Sequence, residues 1–120
     1  MDYMHHEAEK HKLQGNIFFN RQQYEEAIKE YTTAIIKNSK NIVYFTNRAL
    51  CYIRLKEFEE AITDCKRAIE IDKLSLKGNY LLGQAITESS NSPARLTEAV
   101  QVLRIGEYNK YDENNNNSKH

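Results

Sequence analysis

An all-α chain, folded as a short solenoid of three helix-turn-helix repeats, is what this sequence predicts. Three observations lead there. A pattern of small and large residues recurs with a fixed period. Residues that break helices are scarce, with four glycines and one proline in 120 residues. Apolar residues fall at three- and four-residue steps, as one face of a helix requires.

The period is 34. Adding 34 to Gly15, Phe18, Ala27, Tyr31 and Ala34 gives Ala49, Tyr52, Ala61, Cys65 and Ala68. Adding it again gives Gly83 and Ile86 in place, while the next small residue arrives late, at Ala99. The third repeat therefore carries about four extra residues within "ESSNSPAR". Small residues at the eighth, twentieth and twenty-seventh places of a 34-residue period resemble the tetratricopeptide repeat (TPR). That resemblance implies two antiparallel helices per repeat, A and B, so close that a bulky side chain at those places would hold them apart.

The elements follow in order. Repeats are expected at about 8–41, 42–75 and 76–110, making one domain over 8–110. A helices are expected at about 8–21, 42–55 and 76–89, and B helices at about 24–38, 58–71 and 93–109. In "YEEAIKEYTTAII" the stripe is Tyr24, Ala27, Ile28, Tyr31 and Ile35. Ser75 is placed to cap the third A helix. Ser92-Pro93 reads as a cap followed by proline in the first turn of the last B helix. "EYNKYDE" suits the start of a capping helix, and the Asn-rich tail 111–120 is expected to be disordered. The whole reads as a domain of a longer protein.

Composition narrows the function. Seventeen Lys and Arg balance seventeen Asp and Glu, so no global field draws the chain to nucleic acid or anionic membrane. No apolar run approaches the roughly 20 residues that span a bilayer, and the N-terminal stretch "MDYMHHEAEKHK" is polar, unlike a signal peptide. A cytoplasmic location is expected. Cys51 and Cys65, fourteen apart, have neither zinc nor CxxC spacing and read as reduced core thiols. "HEAEKH" has one residue too many for the HExxH zinc motif, and His6 and His11 lie about 140° apart around a helix. No metal, cofactor, small-molecule substrate or catalytic constellation is expected, and the chain is read as a non-enzyme.

The A helices of stacked pairs line a concave groove. The second, fifth, sixth, ninth and twelfth places point inward. They hold Glu9, Lys12, Leu13, Asn16 and Phe19 in repeat one. Repeat two adds Val43, Thr46, Asn47 and Leu50, and repeat three Lys77, Tyr80, Leu81 and Gln84. Lys12, Asn16, Asn47 and Lys77 thus converge, offering ammonium and amide donors that suit one or two carboxylates. Phe19, Val43, Leu50, Tyr80 and Leu81 are the apolar neighbours expected to hold side chains upstream of such a terminus.

The motifs "KLQGN", "TNRA" and the lysine of "SLKGNYLLGQ" resemble the carboxylate clamp of co-chaperone TPR domains. That resemblance implies binding to the C-terminal Glu-Glu-Val-Asp tails of the 70-kDa and 90-kDa heat-shock chaperones. It places Lys12, Asn16, Asn47 and Lys77 in the clamp. Many clamps add an arginine where this chain has Leu81, and the apolar residue there is similar to the CHIP family of chaperone-binding U-box ubiquitin ligases. The resemblance covers about residues 8–110. The alternative is a TPR scaffold that holds another protein segment without a clamp.

Overall fold

The computed structural model describes residues 2–89, so the third B helix, the stretch from Ser90 to Arg95 and the tail lie outside the described residues. Within them the chain forms five helices: α1 (Tyr3–Asn20), α2 (Tyr24–Lys37), α3 (Ile42–Arg54), α4 (Phe58–Ile71) and α5 (Leu76–Ser89). Each packs on the next in sequence, and α3 also touches α5. The A-type helices α1, α3 and α5 therefore lie side by side, backed by α2 and α4. This is the predicted all-α solenoid.

The repeat is visible in burial. Ala27 and Ala61, 34 apart, have no exposed surface, and neither do Ala34 and Ala68. Gly15, Ala49 and Gly83 are all buried. It is visible in the turns as well. Gln22 and Lys56, again 34 apart, both adopt left-handed backbone, with φ of 61° and 62°. Each closes the same pair of bonds: Gln23 N to Phe18 O and Gln22 N to Phe19 O, then Glu57 N to Tyr52 O and Lys56 N to Ile53 O. These are Schellman closures, normally built on glycine because a Cβ there costs roughly 1–2 kcal/mol. The B-to-A loops repeat too. The Asn38 and Asp72 side chains accept from Lys40 N and Leu74 N, and Asn41 and Ser75 then cap α3 and α5 by accepting from Val43 N and Gly78 N. The predicted Ser75 cap is present.

One boundary differs from expectation. Helix α1 begins at Tyr3, five residues before the predicted start at 8. Repeat arithmetic locates the first packed residue, Ala8, which is fully buried against Ala34 and Tyr44. Nothing in "YMHHE" stops the helix from running ahead of that contact.

The largest core cluster joins repeats two and three through Ala49, Ile53, Ala61, Cys65, Leu81, Leu82 and Ile86. A smaller one joins Ala27, Tyr31 and Cys51, with Phe18 and Phe19 packed on it. Burial pushes both thiols, Cys51 and Cys65, up to about 12, so they are inert fillers. Polar groups tie the helices where they are buried. Arg48 grips Asp64 with two bonds of 2.8 and 2.7 Å and donates a third, of 2.9 Å, to Thr32. Burial pushes the Asp64 carboxyl up and this guanidinium opposes it, which makes the pair costly to break from one side. His11 bonds Glu30 at 2.8 Å, linking α1 to α2.

The buried alanines set the helix spacing, so enlarging one should strain the stack. Ala61→Leu should lose about 1–3 kcal/mol through overpacking. Thermal unfolding checks it, with a fall of roughly 4–8 °C per kcal/mol for a domain of this size.

Candidate functional site

The concave wall holds a pocket of about 180 Å³, lined by Asn16, Phe19, Tyr31, Asn47, Leu50 and Lys77. That is below the roughly 300–1,000 Å³ of drug-sized ligand sites, and suits a chain end with one short side chain. Helix α1 supplies Asn16 and Phe19, α2 Tyr31, α3 Asn47 and Leu50, and α5 Lys77.

One backbone feature builds this pocket. A Cβ added to Gly15 would sit 2.5 Å from Tyr31 Cε1 and 2.8 Å from Cδ1. Only glycine lets the Tyr31 ring lie against α1. From there its hydroxyl donates to Asn16 Oδ1 at 2.6 Å. Burial pushes the Tyr31 hydroxyl well above its usual range, so it stays protonated and keeps donating.

The polar groups then form a chain with a fixed direction. Lys77 can only donate, and its Nζ reaches Asn47 Oδ1 at 3.4 Å. That turns the Asn47 Nδ2 toward Asn16 Oδ1, 3.5 Å away. Asn16 Oδ1 now accepts from both Tyr31 and Asn47. Among the described residues, what these bonds leave over is almost all donor: the Asn16 amide N–H groups and two on Lys77, while Asn47 also bonds the Tyr31 hydroxyl. The lysine-to-amide and amide-to-amide links are both long. A carboxylate would replace them with charge-assisted bonds of about 2.7–2.9 Å.

The structure brings together Asn16, Asn47 and Lys77, with Phe19 and Leu50, as the sequence predicts. Lys12 stands apart. Its Nζ pairs with Glu9 Oε1 at 3.0 Å, and it does not line the pocket. Val43 and Tyr80 are 40% and 58% exposed and also lie outside the pocket wall. Leu81 is a correction. It is 5% exposed and packs in the core with Ala49, Ile53 and Ala85. On α5 the buried face runs 78, 81, 82, 85, 86, so the stripe from Lys77 continues through Tyr80 and Gln84 instead. Thr46 is likewise buried, 4% exposed, rather than facing the groove.

Two contributors escape sequence reasoning. Tyr31 lies in the apolar stripe of a B helix and looks like core alone. The facing pair of Gly15 and a large Tyr31 in one repeat is the signal that would have found it. Arg54 is the other: its guanidinium sits 5.3 Å from the Phe19 ring and 5.7 Å from Tyr24, and donates to the Tyr24 hydroxyl at 2.9 Å. The spacing Val43, Asn47, Leu50, Arg54 puts it on the groove face of α3.

Comparison with known proteins agrees with this architecture. Residues 42–73 match the tetratricopeptide repeat family model, and residues 15–56 match a second TPR repeat model. The second TPR domain of human RPAP3, solved in complex with the HSP70 peptide SGPTIEEVD, is 33% identical, with a TM-score of 0.81. The match covers 89% of this chain and 86% of that one. The chain belongs to the tetratricopeptide-repeat family. Among whole proteins, this TPR chain is 45% identical to rat serine/threonine-protein phosphatase 5 over 98 residues, 82% of this chain and 20% of that protein. It is 33% identical to the E3 ubiquitin-protein ligase CHIP of Arabidopsis thaliana over 99 residues, 82% of this chain and 36% of that protein. The TPR chain thus spans about a third or less of these relatives.

The ring of Tyr31 has no room to yield at Gly15. Gly15→Ala gains about 1 kcal/mol of helix propensity and loses up to about 3 by overpacking. Denaturant unfolding should show a net loss of about 1–2 kcal/mol, although alanine is the better helix former.

Proposed function

We propose that this TPR domain binds the acidic C-terminal Glu-Glu-Val-Asp tails of the 70-kDa and 90-kDa heat-shock chaperones. The observation that carries the reading is the directed chain Lys77, Asn47, Asn16, Tyr31. It engages the amide oxygens internally and leaves donors toward the pocket. A terminal carboxylate matches such a set; a terminal amide, which brings donors of its own, does not. In this reading Lys12, Asn16, Asn47 and Lys77 take the carboxylates, Phe19 and Leu50 hold the last apolar side chain, and Val43 and Tyr80 meet residues further upstream. The complex of the RPAP3 domain with an HSP70 peptide ending in EEVD supports it, as does the 39% identity over 71 residues with Hsp70-Hsp90 organizing protein 3 of Arabidopsis thaliana.

The domain works by selecting a partner and has no catalytic activity of its own. Its place in a whole protein is the chaperone-binding part of a CHIP-like ubiquitin ligase in the cytoplasm. The motif "LKGNYLLGQ" and the likeness to CHIP support this. Among the described residues no helix is long and apolar enough to cross a membrane.

Calorimetry with a peptide ending in Glu-Glu-Val-Asp tests the proposal. Micromolar affinity, about −8 kcal/mol, is expected. Amidating the terminus should cost about 2 kcal/mol or more, since it leaves donors unpaired. Equal affinity for acid and amide would leave a scaffold without a clamp. Two lysines sharpen the test. Lys77→Ala removes a charge-assisted bond and should weaken binding about tenfold to a hundredfold. Lys66 is exposed on α4, a helix that supplies no residue to the pocket lining. Lys66→Ala should lose less than about twofold, because a distant charge is screened beyond roughly 8 Å. Equal losses would mean diffuse attraction rather than a clamp.

A further inference from the structure

The two clamp lysines stand in different states. Lys77 is exposed, and among the described residues its polar partner is Asn47, a neutral amide 3.4 Å away. The Lys12 side chain is 22% exposed, and its Nζ already lies 3.0 Å from a carboxylate, Glu9 Oε1. Glu9 is not free to follow Lys12 into the groove. Its other oxygen, Oε2, accepts from the Tyr44 hydroxyl at 2.7 Å. Tyr44 has no exposed surface, and this bond joins α1 to α3 across 35 positions. A buried hydroxyl deprived of its acceptor is strongly disfavoured, so Tyr44 pins Glu9 in place. The bond from Tyr44, reinforced by Lys12, holds the Glu9 carboxyl below the usual carboxylate range. Glu9 is therefore ionised whenever the protein works near neutral pH.

We infer that Glu9 is an internal carboxylate that occupies Lys12 in the free protein, so that an acidic peptide terminus binds against a built-in competitor. This rests on the clamp reading of Lys12 given above. An arriving carboxylate has two ways to reach Lys12. Either the ammonium leaves Glu9 and that pair is lost, or it divides its donors between two anions that repel each other. In both cases Lys12 contributes less than Lys77. The native affinity is thus set below what the same donors would give unopposed. Selectivity shifts toward ligands whose carboxylate is strong enough to displace or share with Glu9, rather than toward any weakly anionic chain end.

Glu9→Gln is the direct probe. It keeps an oxygen for the Tyr44 hydroxyl and removes the charge. Calorimetry with the Glu-Glu-Val-Asp peptide should show about two- to fivefold tighter binding, the scale of a partly exposed ion pair. In a Lys12→Ala background the same change should gain less, because its route is through Lys12. A second arm leaves Glu9 untouched: in the native chain Lys12→Ala should lose less than about threefold, while Lys77→Ala loses tenfold or more. Unchanged or weaker binding by Glu9→Gln, with preference for the acid peptide over its amide intact, would overturn the inference alone. Equal losses from the two lysines would overturn it too, even if Glu9→Gln failed to fold. Loss of the acid-over-amide preference in the native chain would instead remove the clamp reading, and this inference with it.

Discussion

A single close approach governs the concave face: α1 meets the ring of Tyr31 at Gly15, where a Cβ would come within 2.5 Å. The glycine lets the first two helices settle at a distance that carries the tyrosine hydroxyl to Asn16. Asn16 is then held in one orientation, and Asn47 and Lys77 align behind it from two further helices. The same smallness that makes the solenoid stack, repeated at Ala49 and Gly83, therefore also directs the amides of the pocket. Packing and recognition are one constraint here, read from two sides of the same helix.

The energetics of the free pocket favour exchange. Its links between Lys77, Asn47 and Asn16 are 3.4 and 3.5 Å long, near the limit for a hydrogen bond. Little is lost when a ligand takes their donors. The shorter and more buried contacts lie around and beneath them, in the Arg48–Asp64 pair and in the buried Tyr31 and Tyr44. A stiff frame around loosely paired donors lowers the ordering cost of binding without filling the site in advance. Lys12 is the exception, since its partner is a full carboxylate fixed by the frame itself.

Much of this was legible in the sequence, for physical reasons. A residue 34 positions from its counterpart meets the same neighbours, so Ala27, Ala61, Ala34 and Ala68 announce the helix spacing directly. Asn16, Asn47 and Lys77 converge because A helices share a register. The misses are equally physical. Tyr80 and Leu81 hold the fifth and sixth places, both expected to face inward, but α5 leaves Tyr80 exposed and buries Leu81 in the core. The left-handed turns at Gln22 and Lys56 fall on exposed residues whose side chains give no local sign of them, because backbone bonds close each turn. Tyr31 hides among apolar neighbours until its hydroxyl is seen. The Glu9–Lys12 pair looks like an ordinary surface contact until the Tyr44 bond shows that Glu9 is anchored.

The pocket recognises its proposed ligand by presenting donors. Asn47→Asp tests that most directly, because it keeps the shape of the side chain and the acceptor for Lys77 while replacing the Nδ2 donor with a second, charged oxygen. Calorimetry with the acidic-tail peptide, alongside a thermal melt, reads the outcome. A melting point within a few degrees of the native chain and binding weakened at least about tenfold are expected. Undiminished affinity in a folded Asn47→Asp protein would contradict recognition by donors.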